Sequence, residues 1–195
     1  MSSDLFDRLT EQFQRLPGIG RKTAMRLAFS IVDDRELARD LSEALSMVWQ
    51  KVGECSVCRN ITEDEICDIC SSSSRHDSIC VVHNPADMRS IEDAGLYRGR
   101  YFVLHGFLAP LDGIGPDELG IDRLRKMIDT LDVFDVVMAL VTTADGEATS
   151  TYIARILETN HVTVTKLARG LPPGASVEFA DSLTLSQAFA GRQKV

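Results

Sequence analysis

Residues 55–70 have the sequence CSVCRNITEDEICDIC, in which four cysteines form two C-x-x-C pairs separated by eight residues. Two intervening residues let a tight turn present both thiolates to one ion, and eight residues are enough for a hairpin that joins two such turns. Four thiolates around Zn²⁺ complete a tetrahedron with no open position, which is typical of a structural site. A redox-active C-x-x-C pair and plain buried cysteines are alternatives, but two pairs at this spacing favour zinc. We therefore predict one structural Zn²⁺ per chain, bound by Cys55, Cys58, Cys67 and Cys70.

The composition of the 195-residue chain limits which partners it can bind. It carries 21 basic and 29 acidic residues, a formal net charge of −8, which excludes a generally basic nucleic-acid binder. No apolar run approaches the roughly 20 residues of a membrane span, and the N-terminus carries acids where a signal peptide carries a basic segment. These features predict a soluble, cytoplasmic protein whose paired cysteines bind metal. The fifth cysteine, Cys80, lies in an apolar run and is predicted to be a buried strand residue.

One concentrated basic segment precedes the cysteines. Residues 13–31 contain no acid, and their basic residues are Arg15, Arg21, Lys22 and Arg26. Apolar residues recur at helical spacing on both sides of the sequence LPGIG at 16–20, through which neither helix can continue. The glycines allow a backbone geometry closed to other residues, and the second helix then begins with free N–H groups that suit an anion.

This pattern resembles a helix-hairpin-helix motif, which contacts the DNA backbone and therefore has little sequence preference. The predicted DNA-binding residues are Gly18, Gly20, Arg21, Lys22 and Arg26. The alternative is an ordinary helical turn with solvated basic residues. A third amphipathic helix follows, with Leu37, Leu41, Leu45 and Val48 on one face.

After the cysteines, strands and helices alternate along the chain. Strands are predicted at 79–82, 101–105, 134–141 and 162–165, and helices at 86–94, 121–131 and 147–158. This alternation predicts an α/β fold with a mostly parallel sheet covered by helices. The tail from residue 169 onward is loop-rich, with one short strand and a short helix from Leu183.

Polar residues follow three of the predicted strands. Residues 143–149 lead from a strand into a helix and contain Asp145 and Glu147. Acids at the carboxyl end of such a strand can serve metal-dependent chemistry, but the same acids also stabilise a helix N-terminus, and the residues alone favour that second interpretation. His83 and His105 end two strands with no partner at ligand spacing, which predicts solvated or packed histidines.

The order of these motifs resembles the bacterial RecR family of recombination mediators, and the match runs nearly end to end. Beside the four-cysteine finger it includes LPGIGRKTAMRLAF (16–29), ICVVHNPADM (79–88), APLDGIGPDELGIDRL (109–124), DGEATSTYIA (145–154) and ARGLPPG (168–174). The resemblance implies a Toprim-like α/β domain, the fold shared with topoisomerases and primases. The implied domains are a helical helix-hairpin-helix domain (1–52), a zinc finger (53–76), the Toprim-like domain (77–170) and a C-terminal oligomerisation segment (171–195).

The resemblance also implies a function without catalysis. Proteins similar to this family form ring-shaped homotetramers that encircle DNA, joined in part by their N-terminal and C-terminal segments. With RecO, and with RecF in many bacteria, they help to load RecA onto single-stranded DNA coated by the single-strand-binding protein. The expected site of action is the cytoplasm, at the nucleoid during repair. A ring can hold DNA through a few basic residues repeated in each subunit, which is compatible with an acidic chain.

The chain departs from the family pattern at its Toprim acids. His83 stands where the family usually has a glutamate, and Val141 and Thr143 stand where active Toprim enzymes have two aspartates. The resemblance implies that an acidic surface contacts RecO, a role that Asp145 and Glu147 are predicted to keep. We predict no enzyme activity. The rival hypotheses are a Toprim-type metal-dependent nuclease or primase, and a structural hub whose hairpin binds protein.

Overall fold

The structure, a computed structural model, describes residues 4–158 and 162–192, and the chain divides into two compact units between Val52 and Gly53. Residues 1–3, 159–161 and 193–195 of the predicted domains lie outside the described residues. The first unit consists of α1 (Asp4–Gln14), α2 (Arg21–Asp33) and α3 (Arg35–Lys51). The two predicted helices on either side of the glycine-containing turn are therefore present as α1 and α2.

Small residues let α1 and α2 pack closely. Ala24 and Ala28 on α2 are fully buried, and the rings of Phe6 and Phe29 lie 4.6 Å apart across the two helices. The hydroxyl of Thr10, also buried, donates to the carbonyl of Phe6 within α1. The contact between the helices fixes the turn that joins them.

The third predicted helix is confirmed, but its apolar face is not buried. The carboxylate of Asp34 accepts hydrogen bonds from the first turn of α3, from the amides of Glu36 and Leu37, so the helix begins sharply after α2. Leu45 and Val48 on its apolar face are 61% and 55% exposed. Amphipathic spacing predicts the helix correctly and leaves open what covers it.

The second unit begins with the cysteine finger. Strands β1 (Gly53–Glu54) and β2 (Ile61–Thr62) pair antiparallel, and α4 (Asp68–Ser71) follows. The hairpin therefore encloses the first C-x-x-C pair and does not lie between the two pairs, as was predicted. With little apolar surface of its own, this segment packs on its cysteines and the neighbouring Val57 and Ile69.

A four-stranded sheet forms the body of the second unit. Its elements in chain order are β3 (Ser78–Val82), α5 (Pro85–Ala94), β4 (Arg100–Val103), α6 (Ile121–Leu131), β5 (Asp135–Ala139), α7 (Ala144–Leu157) and β6 (Thr163–Lys166). The strand order is β4-β3-β5-β6, and every neighbouring pair is parallel. The predicted α/β class is confirmed.

The sheet is covered on both faces, so its central strands are continuously apolar. Alternate residues of β3 point to opposite layers: Ile79 and Val81 pack in the layer that contains residues of α6 and α7, and Cys80 and Val82 pack in the layer that contains Met88 of α5. Cys80 is 2% exposed, as predicted, and burial raises the pKa of its thiol to about 12.

Strand boundaries and the tail differ in part from the predictions. The predicted strand 134–141 ends as β5 at Ala139, where its pairing with Val82 ends, although Leu140 is still buried. In the tail, the predicted short strand is wrong. Residues Val177–Phe179 form a 3-10 turn, followed by α8 (Ser182–Ala190). The Ser176 carbonyl accepts a hydrogen bond from the amide of Phe179, and the Ser176 hydroxyl accepts one from the amide of Glu178. The backbone of this turn is therefore satisfied locally and needs no partner strand.

Across the described part of the chain, no helix is both long and apolar enough to span a membrane.

A half-buried ion pair holds α5 against the sheet. The Arg75 guanidinium donates to both carboxylate oxygens of Glu92, at 2.8 and 2.6 Å, and the Tyr101 hydroxyl donates to the same carboxylate at 2.7 Å. The hydrogen bond from Arg75 lowers the pKa of Glu92 below its usual range, with a smaller contribution from Tyr101.

Replacing this carboxylate by an amide is expected to destabilise the second unit. Glu92→Gln should lower the free energy of unfolding by about 2 kcal/mol at pH 7, because it removes a bidentate charged pair. The folded-state pKa is depressed, so the contribution is present above the unfolded pKa of about 4.3 and is lost as pH falls below it. Urea unfolding at pH 7 and at pH 3 measures both values. The matched control is Asp93→Asn on the exposed side of α5. An equal loss at both pH values would contradict the assignment.

Candidate metal centre and nucleic-acid interface

The four cysteines of the finger converge on one point. Cys55 and Cys58 lie in the hairpin connection between β1 and β2, and Cys67 and Cys70 lie at the start of α4. Their sulfur atoms all lie within 4.8 Å of one another, with 3.5 Å between those of Cys58 and Cys67. Four thiolates at about 2.3 Å from one Zn²⁺ are separated by about 3.8 Å in a tetrahedron, so these spacings fit the ion.

The electrostatics of the cluster also favour a cation. Hydrogen bonding to Cys67 and Cys70, together with burial, raises the pKa of Cys58, whereas hydrogen bonding to Cys58 and Cys70 lowers the pKa of Cys67 to about 2. The amide of Cys67 donates to the sulfur of Cys55 at 3.3 Å. Several thiolates this close repel one another unless a divalent cation lies between them, so the donor set suits a closed structural zinc site.

Arginines from both sides fix the finger to the sheet domain, a contact that sequence reasoning missed. Arg123 of α6 donates to the Glu54 carboxylate at 2.7 Å and to the carbonyls of Cys55 and Ser56 at 3.0 and 2.8 Å. Arg59 in turn donates to the carbonyl of Leu104, at 3.2 Å. No spacing rule could have found the pair of Glu54 and Arg123, which are 69 residues apart.

The turn between α1 and α2 has the geometry that the glycines predict. Gly18 has φ +77°, a left-handed conformation that glycine adopts without strain. Gly20 precedes the first turn of α2, and no side chain caps that turn. A Cβ at either glycine would meet no atom within 4 Å, so the backbone of the turn is open on this side. The free N–H groups at the start of α2 are accessible to an anion.

The basic side chains beside this turn are exposed. Arg21, Lys22 and Arg26 all project from α2 into solvent, and among the described residues none of them has a hydrogen-bond or ion-pair partner for its side chain. Lys22 and Arg26 are four residues apart and therefore lie on the same face of the helix. By contrast, Arg39 on α3 pairs with Glu36 and Asp40. Three basic side chains without a partner among the described residues are thus grouped on one helix, α2.

The carboxyl edge of the sheet holds a stacked pair of rings at His83. The ring of His83 stacks on Phe107 at 4.2 Å, and its Nδ1 lies 3.3 Å from the Asn84 amide. His105, exposed and with φ +60°, is hydrogen-bonded through Nε2 to the carbonyl of Arg59 at 2.6 Å. Both histidines therefore have packing or backbone partners.

The two predicted acids at this edge have different surroundings. Asp145 is exposed, and no ion pair of its carboxylate is found within the described ranges. Glu147 is paired with Lys166 at 2.9 Å and with Arg169, and hydrogen bonds from these residues, Lys166 first, lower its pKa. Thr143 caps α7 through the amide of Gly146 at 3.2 Å. The acids of the first turn thus serve the helix N-terminus, with one of them neutralised.

Gly146 sets how closely α7 approaches the end of β5. A Cβ at this position would lie 2.0 Å from the carbonyl oxygen of Val141, so only glycine permits the approach. Across residues 4–158 and 162–192, the cysteine quartet is the only set of three or more potential metal ligands whose donor atoms are this close together. Asp145, Glu147 and His83 do not form a second one.

Comparison with known proteins places each part of the chain. Family models match at residues 6–48 (RecR, helix-hairpin-helix), 52–72 (RecR, four-cysteine zinc finger domain), 77–168 (Toprim domain) and 170–193 (RecR, C-terminal). Proteins named recombination protein RecR from Xanthomonas axonopodis pv. citri, Xanthomonas euvesicatoria pv. vesicatoria and Xanthomonas oryzae pv. oryzae are each 46% identical over 195 residues, covering 99% of this chain and 99% of the relative. The predicted zinc finger is confirmed by its family model together with the converging sulfur atoms.

Proposed function

Because the chain belongs to the RecR family of recombination proteins, we propose that it is a non-catalytic DNA clamp in recombinational repair. In this proposal it acts in the cytoplasm with RecO, and with RecF where that protein takes part, to load RecA onto single-stranded DNA. The observation that carries the proposal is the open turn at Gly18 and Gly20, with three unpaired basic side chains beside it, within the described residues of an otherwise acidic chain.

The proposed DNA contact combines backbone and side-chain donors. The backbone amides at the start of α2 donate hydrogen bonds to one phosphate. The side chains of Arg21, Lys22 and Arg26 neutralise that phosphate and its neighbours. None of these groups distinguishes one base from another, so binding is independent of sequence. Each neutralised phosphate releases a counterion, so affinity falls steeply with salt.

A single chain offers few such contacts, and we infer that several copies act together. Leu37, Leu45 and Val48 on α3 are exposed apolar residues on one helix, which suits a contact between subunits of the proposed ring. A tetramer presents four hairpins to one DNA molecule, so the affinity of each is multiplied by the others.

Solution mass measured with and without DNA tests the clamp. We expect the mass added to a long duplex to be about four times 21.5 kDa per bound ring, with binding that persists longer on circular than on linear DNA. A chain that stays monomeric at all concentrations and binds linear and circular DNA alike would contradict the ring.

The proposed partner surface lies at the carboxyl edge of the sheet. Asp145 offers an exposed carboxylate there, whereas that of Glu147 is neutralised by Lys166 and Arg169. We therefore assign Asp145 the greater part of any electrostatic contact with RecO, and Glu147 a role in orienting the chain after β6.

The proposal predicts no phosphoryl-transfer activity. Mg²⁺ requires oxygen ligands in near-octahedral geometry, and His83, Val141 and Thr143 occupy the positions of the three carboxylates that active Toprim enzymes use. Without those ligands, nothing offsets the charge that develops on the transferring phosphate. Purified protein incubated with labelled DNA, nucleotides and Mg²⁺ or Mn²⁺ should give no cleavage, relaxation or primer synthesis. Activity that follows the protein and is lost in Asp145→Ala would establish the enzyme hypothesis instead.

A further inference from the structure

A groove of about 340 Å³ separates the finger from α6 and has no role in the functions considered above. Val57 and Ile66 of the finger and Met127 and Leu131 of α6 make its walls largely aliphatic. A volume of this size is enough for one or two apolar side chains of a ligand. Ile66 is 42% exposed, so part of this apolar surface faces solvent in the chain.

Three cationic side chains line the same groove, namely Arg100, Arg123 and Lys126. The guanidinium of Arg123 is already hydrogen-bonded to the finger. Lys126 is exposed, and its side chain has no partner within the described ranges. Arg100 is 8% exposed, and its Nε has no hydrogen-bond acceptor among the residues that the structure describes. The remaining contacts of its guanidinium, to Ser72, His76 and Asp77, are long, at 3.3 to 3.4 Å.

A buried guanidinium with such weak compensation gains from an anion brought close to it. Apolar walls and incompletely paired cations are together complementary to a ligand that has an apolar side chain next to a carboxylate. We propose that this groove binds a peptide segment of a partner protein, which places one aliphatic or aromatic side chain between the finger and α6 and a carboxylate beside Arg100 and Lys126.

The lining favours a peptide over nucleic acid. Among its described residues the groove has no aromatic ring on which a base could stack, although such rings are the usual platform for single-stranded nucleic acid. The exposed acids of residues 63–65 immediately precede Ile66 and repel a polyanion more than they repel a single carboxylate. All residues that line the groove belong to the second unit, whereas the basic turn belongs to the first unit.

Methionine methyl resonances provide a direct test, because Met127 lines the groove and Met88 lies in the opposite layer of the sheet. Full-length, zinc-loaded protein with ¹³C-labelled methionine methyls is titrated with the capped peptide acetyl-Asp-Leu-Glu-Leu-amide. We expect a saturable shift of the Met127 resonance and none of Met88. Peptides with glycine for leucine, or with amides for the acids, should shift it much less.

Variants on α6 separate the groove from general charge effects. Lys126→Glu should weaken peptide binding about tenfold, and Arg125→Glu, the same charge change on an exposed residue outside the groove, should change it less than about twofold. The proposal is overturned if Met127 does not respond to millimolar peptide, or if the two variants behave alike. It is also overturned if the neutral peptide, or a twelve-residue oligothymidylate, binds at Met127 as tightly as the acidic peptide.

Discussion

The double variant Lys22→Glu, Arg26→Glu is expected to bind DNA at least about a hundredfold more weakly than the wild-type protein at moderate salt. Both side chains are exposed and unpaired in the described part of the chain, and each replacement turns an attraction to phosphate into a repulsion. Wild-type affinity should fall linearly with salt on logarithmic axes, and the variant should lose about 0.9 of slope for each phosphate contact removed. Fluorescence anisotropy over a salt series measures both quantities.

The matched control makes the same charge change elsewhere on the first unit. Arg35→Glu with Arg39→Glu alters two exposed positions on α3, one of which is already paired with Glu36 and Asp40. This control should keep most of the DNA affinity, and both double variants should keep the zinc content and circular dichroism of the wild type. Equal binding by the Lys22, Arg26 variant and the wild type would show that the turn is not the DNA site.

Loss of the cysteine ligands is expected to have the largest effect on stability. Cys58→Ser with Cys67→Ser should reduce bound zinc from about one per chain to almost none. A structural zinc site contributes on the order of 10 kcal/mol to folding, and this finger has little apolar core that could replace it. We expect low solubility and early loss of the contacts of Arg123 to the finger. Metal analysis of freshly purified protein and thermal unfolding measure the two effects.

The fifth cysteine provides the control for this experiment. Cys80 is buried in β3, away from the quartet, so Cys80→Ala should retain full zinc content with a modest loss of packing energy, about 1 kcal/mol. Full zinc occupancy in the Cys58, Cys67 variant, or a loss of zinc in Cys80→Ala, would contradict the assignment of ligands.

Spacing in the sequence predicted the elements whose chemistry is local. The two C-x-x-C pairs predicted the metal centre, because each pair is short enough to present both thiolates to one ion. The first pair does so in the turn between β1 and β2, and the second does so at the start of α4. Glycine in the left-handed region at Gly18 likewise follows from the turn itself. The alternation of apolar runs predicted the parallel sheet, with errors at the ends of strands, since the apolar run of β5 continues past its last paired residue, Ala139, into the buried Leu140.

Contacts between distant residues could not be predicted in this way. The neutralisation of Glu147 depends on Lys166 and Arg169, which reach it only because β6 pairs parallel to β5. Similarly, the pairing of Glu54 with Arg123 depends on how the finger packs against α6. These interactions decide which acids remain available for a partner, and periodicity carries no information about them.

Assembly of RecA on single-stranded DNA coated with the single-strand-binding protein, followed in the presence of RecO, tests the central claim most directly. The wild-type protein is expected to shorten the lag before RecA filaments form, and the Lys22→Glu, Arg26→Glu variant is expected to leave the lag unchanged. This effect should require no phosphoryl-transfer activity of this chain, in which the bound zinc is structural. A lag that is the same with and without the wild-type protein, at concentrations where it binds DNA, would contradict its role as a recombination mediator.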